Sequence, residues 1–180
     1  MPRTRPELER EDKVAEIVAA AERRLREGGY DALSVAAIAR ELGVAQNAIY
    51  WYFPSKDHLF VAALEQIMRS IVAAKPPAQR SVEHKVLWFV ARLQELEHVR
   101  AAMYERARTS PVVADFVARL DATWRHMLAG VLRGRLEEPE LSAAVAALIA
   151  TIQGAFLQPM SAAERRRVVA YAVERLVPPR

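Results

Sequence analysis

The chain of 180 residues contains no cysteine and only six glycines, and aromatic residues make up 7% of it. The lack of cysteine excludes a disulfide framework, a thiolate metal site and a cysteine nucleophile, and it fits a reducing cytosol. Apolar residues reach 52%, which is enough for a proper core in one or two small domains.

Several functional signatures are also missing. The N-terminus has no apolar core of the signal-peptide type. There is no glycine-rich phosphate loop, no strand-like alternation and no metal-ligand cluster. The four histidines are scattered among predicted helices: His58, His84, His98 and His126. We therefore expect no enzyme activity, no cofactor and no metal, and a cytoplasmic location.

The positive charge is unevenly distributed. The net charge is +4, but residues 1–60 hold nine Lys and Arg against ten Asp and Glu, whereas the rest hold seventeen against twelve. The first 60 residues therefore carry no basic excess. Any attraction to nucleic acid there depends on local placement, for which Arg3, Arg5, Arg10, Arg40 and Lys56 are the candidates.

Residues 34–59 are predicted to form a helix-turn-helix and the start of the next helix. Ser34 occupies the N-cap position of the first helix. Gly43 ends that helix, since glycine tolerates the positive φ needed just past a helix end. The second helix runs over residues 45–52 and has one buried anchor, Ile49.

The other side chains of this second helix suit DNA recognition. Gln46 and Asn47 are side chains that pair with the adenine edge in the major groove. Tyrosine hydroxyls donate to phosphate oxygens, and Lys56 lies in the first turn of the following helix, where a phosphate also meets free N–H groups. The predicted DNA-binding residues are Ser34, Ala45, Gln46, Asn47, Tyr50, Trp51, Tyr52 and Lys56.

The runs AIARELGV (37–44) and AIYWYFPSKDHL (48–59) resemble the tetracycline-repressor (TetR) family of bacterial regulators. The resemblance spans about residues 9–60. It implies that Tyr50 and Lys56 contact phosphates, that the protein is a homodimer, and that it responds to a small hydrophobic or aromatic effector.

The helical periodicities predict an all-α fold of about nine helices. A three-helix DNA-binding domain is expected over residues 1–55, with a mobile arm at its start. A ligand-binding and dimerisation domain is expected over residues 56–180. The fourth helix begins near Lys56 and ends before the prolines at 76 and 77, so it is the predicted lever between the domains.

Large side chains in the C-terminal helices indicate a small-molecule pocket with a few polar groups. Taken singly, each apolar residue also suits an ordinary core. The candidate ligand-binding residues are Trp88, Phe89, Arg92, Met103, Tyr104, Phe116, Thr123, Trp124, Met127, Gln153 and Phe156.

The stretch 141–163 contains no charged residue. We interpret it as a helix buried on all sides rather than as a membrane span, because polar residues are spread through it and Pro159 breaks it. Ser161 and Glu164 are predicted to form a capping box for the last helix, with the arginines at 165–167 outside. The last two helices from each of two chains would pair, with Ala143, Ala147, Ala150, Val169 and Val173 at the dimer interface.

These patterns together predict a ligand-responsive transcriptional regulator, a repressor that binds a palindromic operator as a homodimer. Its partners would be double-stranded DNA, a small effector and a second copy of the chain, with no membrane. The alternative is an all-helical ligand-binding or protein-interaction module without specific DNA binding.

Overall fold

A computed structural model describes residues 5–74 and 80–178. This part of the chain forms nine α-helices and no β-strand, so the all-α prediction is confirmed. The helices are α1 (Arg5–Ala32), α2 (Val35–Glu41), α3 (Gln46–Tyr52), α4 (Lys56–Ala74), α5 (Val82–Gln94), α6 (Glu97–Ala107), α7 (Pro111–Leu132), α8 (Glu140–Leu157) and α9 (Ala162–Leu176). The start of the predicted arm, with Arg3, and the prolines at 76 and 77 lie outside the described residues, as does the side chain of Arg5.

The helix ends follow local sequence signals. The Ser34 hydroxyl caps α2 by accepting a hydrogen bond from the backbone N–H of Ala37 at 3.2 Å. Gly43 then takes φ +64° just past α2, a conformation that side-chain-bearing residues rarely adopt. At the other end of the chain, Ser161 and Glu164 form the predicted capping box of α9. These three predictions are confirmed.

The described residues divide into two compact units. The first comprises residues 5–73 and 98–116, and the second comprises residue 74 with residues 80–97 and 117–178. The division therefore passes within α6 and within α7. This division reflects packing alone, so the predicted functional boundary at residue 55 stays a prediction.

The first unit is built around α1 to α4. Ile17, Leu25, Ile38, Ile49 and Phe60 are all almost fully buried there. They belong to the apolar faces of α1, α2, α3 and α4, which explains why the amphipathic pattern located them. The single buried residue of α3 is Ile49, as predicted.

The second unit is centred on α8. Its inward residues pack with side chains of α5, α7 and α9 in one core cluster that includes Val86, Leu132, Leu148 and Ile152. By length and composition α8 is apolar enough to cross a membrane. Eight of its 18 residues are buried in the folded chain, so one face of α8 lies in the core. The opposite face is open within this chain, where Ser142, Ala143, Ala146, Ala150 and Leu157 are exposed, so burial on all sides stays a prediction that needs a second copy.

The arginine run at the start of α9 corrects one prediction. Arg165 was expected to lie outside, but only 6% of its surface is exposed. Its guanidinium donates to both carboxylate oxygens of Glu97, at 2.6 and 2.7 Å, and its Nε donates to the carbonyl of Ala155 at 3.2 Å. The same group lies 4.8 Å from the ring centroid of Phe156. A buried arginine needs such partners, because an unpaired charge in a core is costly.

Candidate nucleic-acid interface

The short helix α3 has one apolar face and one open face. Ile49 is fully buried, whereas Gln46, Asn47, Tyr50 and Trp51 are exposed. The exposed residues are two i,i+4 pairs, so they line neighbouring positions on one side of the helix. This side offers two amides and two aromatic rings to solvent, which are the groups that contact base edges and phosphates in DNA-binding helices.

The other predicted contact residues flank this face. Ala45 is exposed at the N-cap position of α3, and Tyr52 is half-buried. The ring of Tyr52 meets the ring of Trp51 edge to face, with centroids 4.8 Å apart. Ser34 is also half-buried; its hydroxyl oxygen accepts the cap bond of α2, and its O–H can still donate to another group.

Lys56 begins α4 and is held against an aromatic ring. Its ammonium nitrogen lies 4.0 Å from the ring centroid of Tyr30 in α1, a cation–π contact. Burial lowers the pKa of Lys56 below its usual value, although the nearby Asp31 and Asp57 oppose this shift. Ser55 caps the same turn, because its Oγ accepts from the N–H of His58 at 3.3 Å.

Asp57 is the centre of a polar cluster that the sequence did not indicate. It accepts a hydrogen bond from the Tyr30 hydroxyl at 2.7 Å, and Arg106 of α6 donates to both of its oxygens, at 2.6 and 3.3 Å. Burial and the bond to Asp57 raise the pKa of Tyr30 to about 12. The partners lie 27 and 49 residues from Asp57, so no local pattern predicts the cluster.

The Asp57 cluster should make stability depend on acid pH. Burial alone would raise the pKa of Asp57, but hydrogen bonds from Arg106, Tyr30 and Ser110 lower it below the usual value. A carboxylate with a lowered pKa in the folded state stabilises the fold above its unfolded pKa of about 4, and this contribution is lost as the pH falls through the folded pKa. We expect Asp57→Asn to be less stable than the parent at neutral pH, with the difference narrowing below about pH 4.

Chemical denaturation of both proteins between neutral and strongly acid pH measures this difference. Asp12→Asn is a matched control, since Asp12 is exposed on α1. A difference that stays constant across the acid range would show that the Asp57 carboxylate does not stabilise the fold through its charge.

The residues predicted to bind an effector are distributed over both units. In the second unit, the ring of Phe89 contacts Trp88 and Trp124, with centroid distances of 5.1 and 5.8 Å. Arg92 lies 5.7 Å from the ring centroid of Trp88. Phe156 is buried in the core of the same unit, with Met127 half-buried, whereas Met103, Tyr104 and Phe116 belong to the first unit.

The two polar candidates on α7 and α8 differ. Gln153 donates to Asp121 at 3.3 Å, so its amide already has a partner. Thr123 is exposed, and its hydroxyl donates to the carbonyl of Arg119 at 2.9 Å within α7. Gln153 therefore fits a half-buried site better than Thr123 does.

The residues predicted at the dimer interface also separate into two groups. Ala143 and Ala150 are exposed on α8, and Ala147 is half-buried. Val169 and Val173 are 0% and 3% exposed, because α9 turns them into its own chain's core. The prediction that Val169 and Val173 lie at the dimer interface is therefore wrong, because their side chains are enclosed within their own chain and expose no surface to a partner. The most exposed apolar side chains of α8 and α9 are Leu157 at 81% and Tyr171 at 61%.

The described residues contain no group of three or more His, Asp or Glu side chains that is arranged to hold a metal ion.

The chain matches the family model described as bacterial regulatory proteins, tetR family, over residues 17–63. This segment includes α2, α3 and the start of α4. It therefore contains every predicted DNA-binding residue.

Two curated relatives share this part of the chain. The nucleoid occlusion factor SlmA of Haemophilus influenzae is 29% identical over 115 residues, which cover 57% of this chain and 53% of SlmA. The HTH-type transcriptional repressor KstR of Rhodococcus jostii is 39% identical over 62 residues, which cover 33% of this chain and 29% of KstR. The chain thus spans about half the length of SlmA, and less of KstR.

A solved structure extends the likeness to the whole fold. A protein from Saccharomonospora viridis, crystallised in complex with choline, aligns with a TM-score of 0.72 and covers 94% of this chain and 100% of its own. The two sequences are 19% identical, so the likeness concerns the fold alone.

Proposed function

We propose that this chain, which belongs to the TetR family of bacterial regulatory proteins, is a DNA-binding transcriptional repressor. The observation that carries the proposal is the open face of α3. Gln46, Asn47, Tyr50 and Trp51 are exposed there, while one isoleucine fixes the helix from behind. Exposed amides are ordinary on a surface helix, but the two aromatic rings beside them, with Trp51 67% exposed, leave apolar surface uncovered, as a contact surface does.

The roles of the side chains follow from their chemistry. Gln46 and Asn47 would read base edges in the major groove. Tyr50 and Lys56 would hold phosphates on either side, and the Ser34 hydroxyl would donate to another phosphate. Tyr52, beside Trp51, would complete the contact surface at the end of α3.

A homodimer is part of the proposal, because two recognition helices about one DNA turn apart read a palindromic site. The exposed alanines of α8 support it, since small side chains let a second helix approach closely, and Leu157 and Tyr171 add exposed apolar surface on α8 and α9. A repressor that binds chromosomal DNA would act in the cytoplasm.

A small hydrophobic or aromatic effector would regulate the repressor. The cluster of Trp88, Phe89 and Trp124 supports this part of the proposal, because aromatic faces suit an apolar or aromatic ligand. An effector releases DNA only if it binds the non-binding dimer geometry more tightly than the binding one.

Titration of the protein against a palindromic fragment from its own promoter tests DNA binding. We expect Lys56→Ala to weaken binding to all sequences and to reduce the slope of log K against log salt by about one unit, because one phosphate contact is lost. Fluorescence anisotropy at several salt concentrations measures the slope.

Gln46→Ala is the contrasting variant. It should change the preference at particular base pairs and leave the salt slope unaltered, since an amide neutralises no phosphate. An unchanged slope in Lys56→Ala would remove Lys56 from the contact surface. A parent protein that binds no fragment of genomic DNA would instead favour a ligand-binding or protein-interaction module.

A further inference from the structure

The most exposed aromatic residue among those described in the first unit carries an arginine on its ring. Trp51 is 67% exposed, although tryptophan is one of the largest apolar side chains. The guanidinium carbon of Arg10 lies 4.8 Å from the centroid of its ring. Arg10 belongs to α1, outside the segment that the family model matches.

The indole is held on a second side as well. The ring of Tyr52 meets it at an interplanar angle of 86°. An exposed side chain with a neighbour on its edge has fewer orientations open to it. Trp51 therefore presents a defined flat surface to Arg10, which reaches it from another helix.

The stacking leaves the binding capacity of Arg10 intact. A cation–π contact uses the face of the guanidinium, whereas its five N–H donors point outward in the plane of the group. Those donors match the oxygens of a phosphate in a bidentate arrangement. The indole therefore holds Arg10 in place while the N–H groups of its guanidinium stay free of the indole.

Arg10 supplies a positive charge that α3 itself lacks. The sequence of α3 is QNAIYWY, so the helix carries no basic residue of its own. Trp51 lies in the last turn of α3, where the helix dipole favours a positive charge. Arg10 supplies a cation at that end without belonging to the helix.

We propose that Arg10 and Trp51 form a composite phosphate-binding site, in which the indole positions the guanidinium against the DNA backbone. The proposal rests on the DNA-binding function proposed above. It assigns Trp51 the role of a positioning residue and extends the DNA contact surface from α3 onto α1.

Four variants test the site by anisotropy titrations against the operator fragment. Arg10→Ala should weaken binding roughly threefold to tenfold for specific and random DNA alike, and should lower the salt slope by about one unit. Trp51→Leu, which keeps the charge of Arg10 but removes the ring, should lose most of the same affinity. Trp51→Phe should retain part of that affinity. The double variant Arg10→Ala/Trp51→Leu should bind DNA no more weakly than Arg10→Ala alone, because both changes remove the same contact.

Arg26→Ala is the matched control, because Arg26 is exposed on the same helix and pairs with Glu22. It should bind like the parent protein. Thermal melting of every variant checks that the fold is retained.

The outcomes separate the two proposals. A parent protein that binds operator DNA together with an Arg10→Ala variant of equal affinity and slope overturns the composite site alone. Losses that simply add in the double variant show that Trp51 contacts DNA independently and does not position Arg10. Failure of the parent protein to bind any DNA overturns the repressor function itself.

Discussion

Replacing Glu97 by alanine is expected to lower the free energy of unfolding by about 3 kcal/mol, the low end of the cost of orphaning a buried charge. Arg165 would remain with its side chain 8% exposed and without the two carboxylate oxygens that now accept from it at 2.6 and 2.7 Å. For a chain of this size, the melting temperature should fall by roughly 6–12 °C.

The opposite replacement should be milder. Arg165→Met removes the buried charge and leaves Glu97, whose side chain is 45% exposed, to be solvated by water. Methionine also fills much of the space of the arginine stem. The double variant, Glu97→Ala with Arg165→Met, should therefore be close to Arg165→Met alone and more stable than Glu97→Ala.

Urea denaturation of the four proteins gives the complete double-mutant cycle. Equal losses in the two single variants would mean that water reaches Arg165 in the folded chain. In that case the pair would behave as an ordinary surface ion pair, for which about 0–1 kcal/mol is typical.

Ile49→Ala should cost about 2–5 kcal/mol, because it leaves a cavity at the fully buried anchor of α3. The effect on function should exceed that on the global fold. No other residue of α3 is buried, so the helix that presents Gln46 and Asn47 would lose its register against α2. Operator affinity should therefore fall at temperatures where the protein is still folded.

Ile49→Val provides the graded control, with an expected cost of about 0.5–1.5 kcal/mol. Gln46→Ala, on the exposed side of the same helix, should leave stability unchanged while altering base preference. Denaturation curves and operator titrations on the same samples compare the two effects. An Ile49→Ala variant that binds the operator as the parent does would show that α3 is fixed by its ends rather than by its anchor.

The sequence located the helices and the open face of α3 because those features are set by neighbours a few residues apart. The cap at Ser34, the glycine turn at Gly43 and the capping box at Ser161 each depend on residues within one turn. Ile49 was found for the same reason, since it is the apolar residue on a helix whose other face is polar or aromatic.

The missed features depend on distant partners. The three arginines at 165–167 look alike in the sequence, and only Glu97, 68 residues away, distinguishes Arg165 as buried. Val169 and Val173 form an apolar stripe, but a stripe does not say whether its own chain or a second chain covers it. The Asp57 cluster joins three helices for which the local patterns are independent of each other.

Tyr30 contacts two side chains in the first turn of α4, and it holds one of them, Asp57, more firmly than the other, Lys56. Asp57 is anchored by its hydrogen bonds to Tyr30 and Arg106, whereas the half-buried Lys56 contacts the face of the same ring in a cation–π interaction worth about 0.5–2 kcal/mol. An arriving phosphate would therefore draw Lys56 away at small cost while the carboxylate keeps the backbone in place. Such preorganisation spares the complex most of the ordering entropy that a free lysine on a mobile turn would lose.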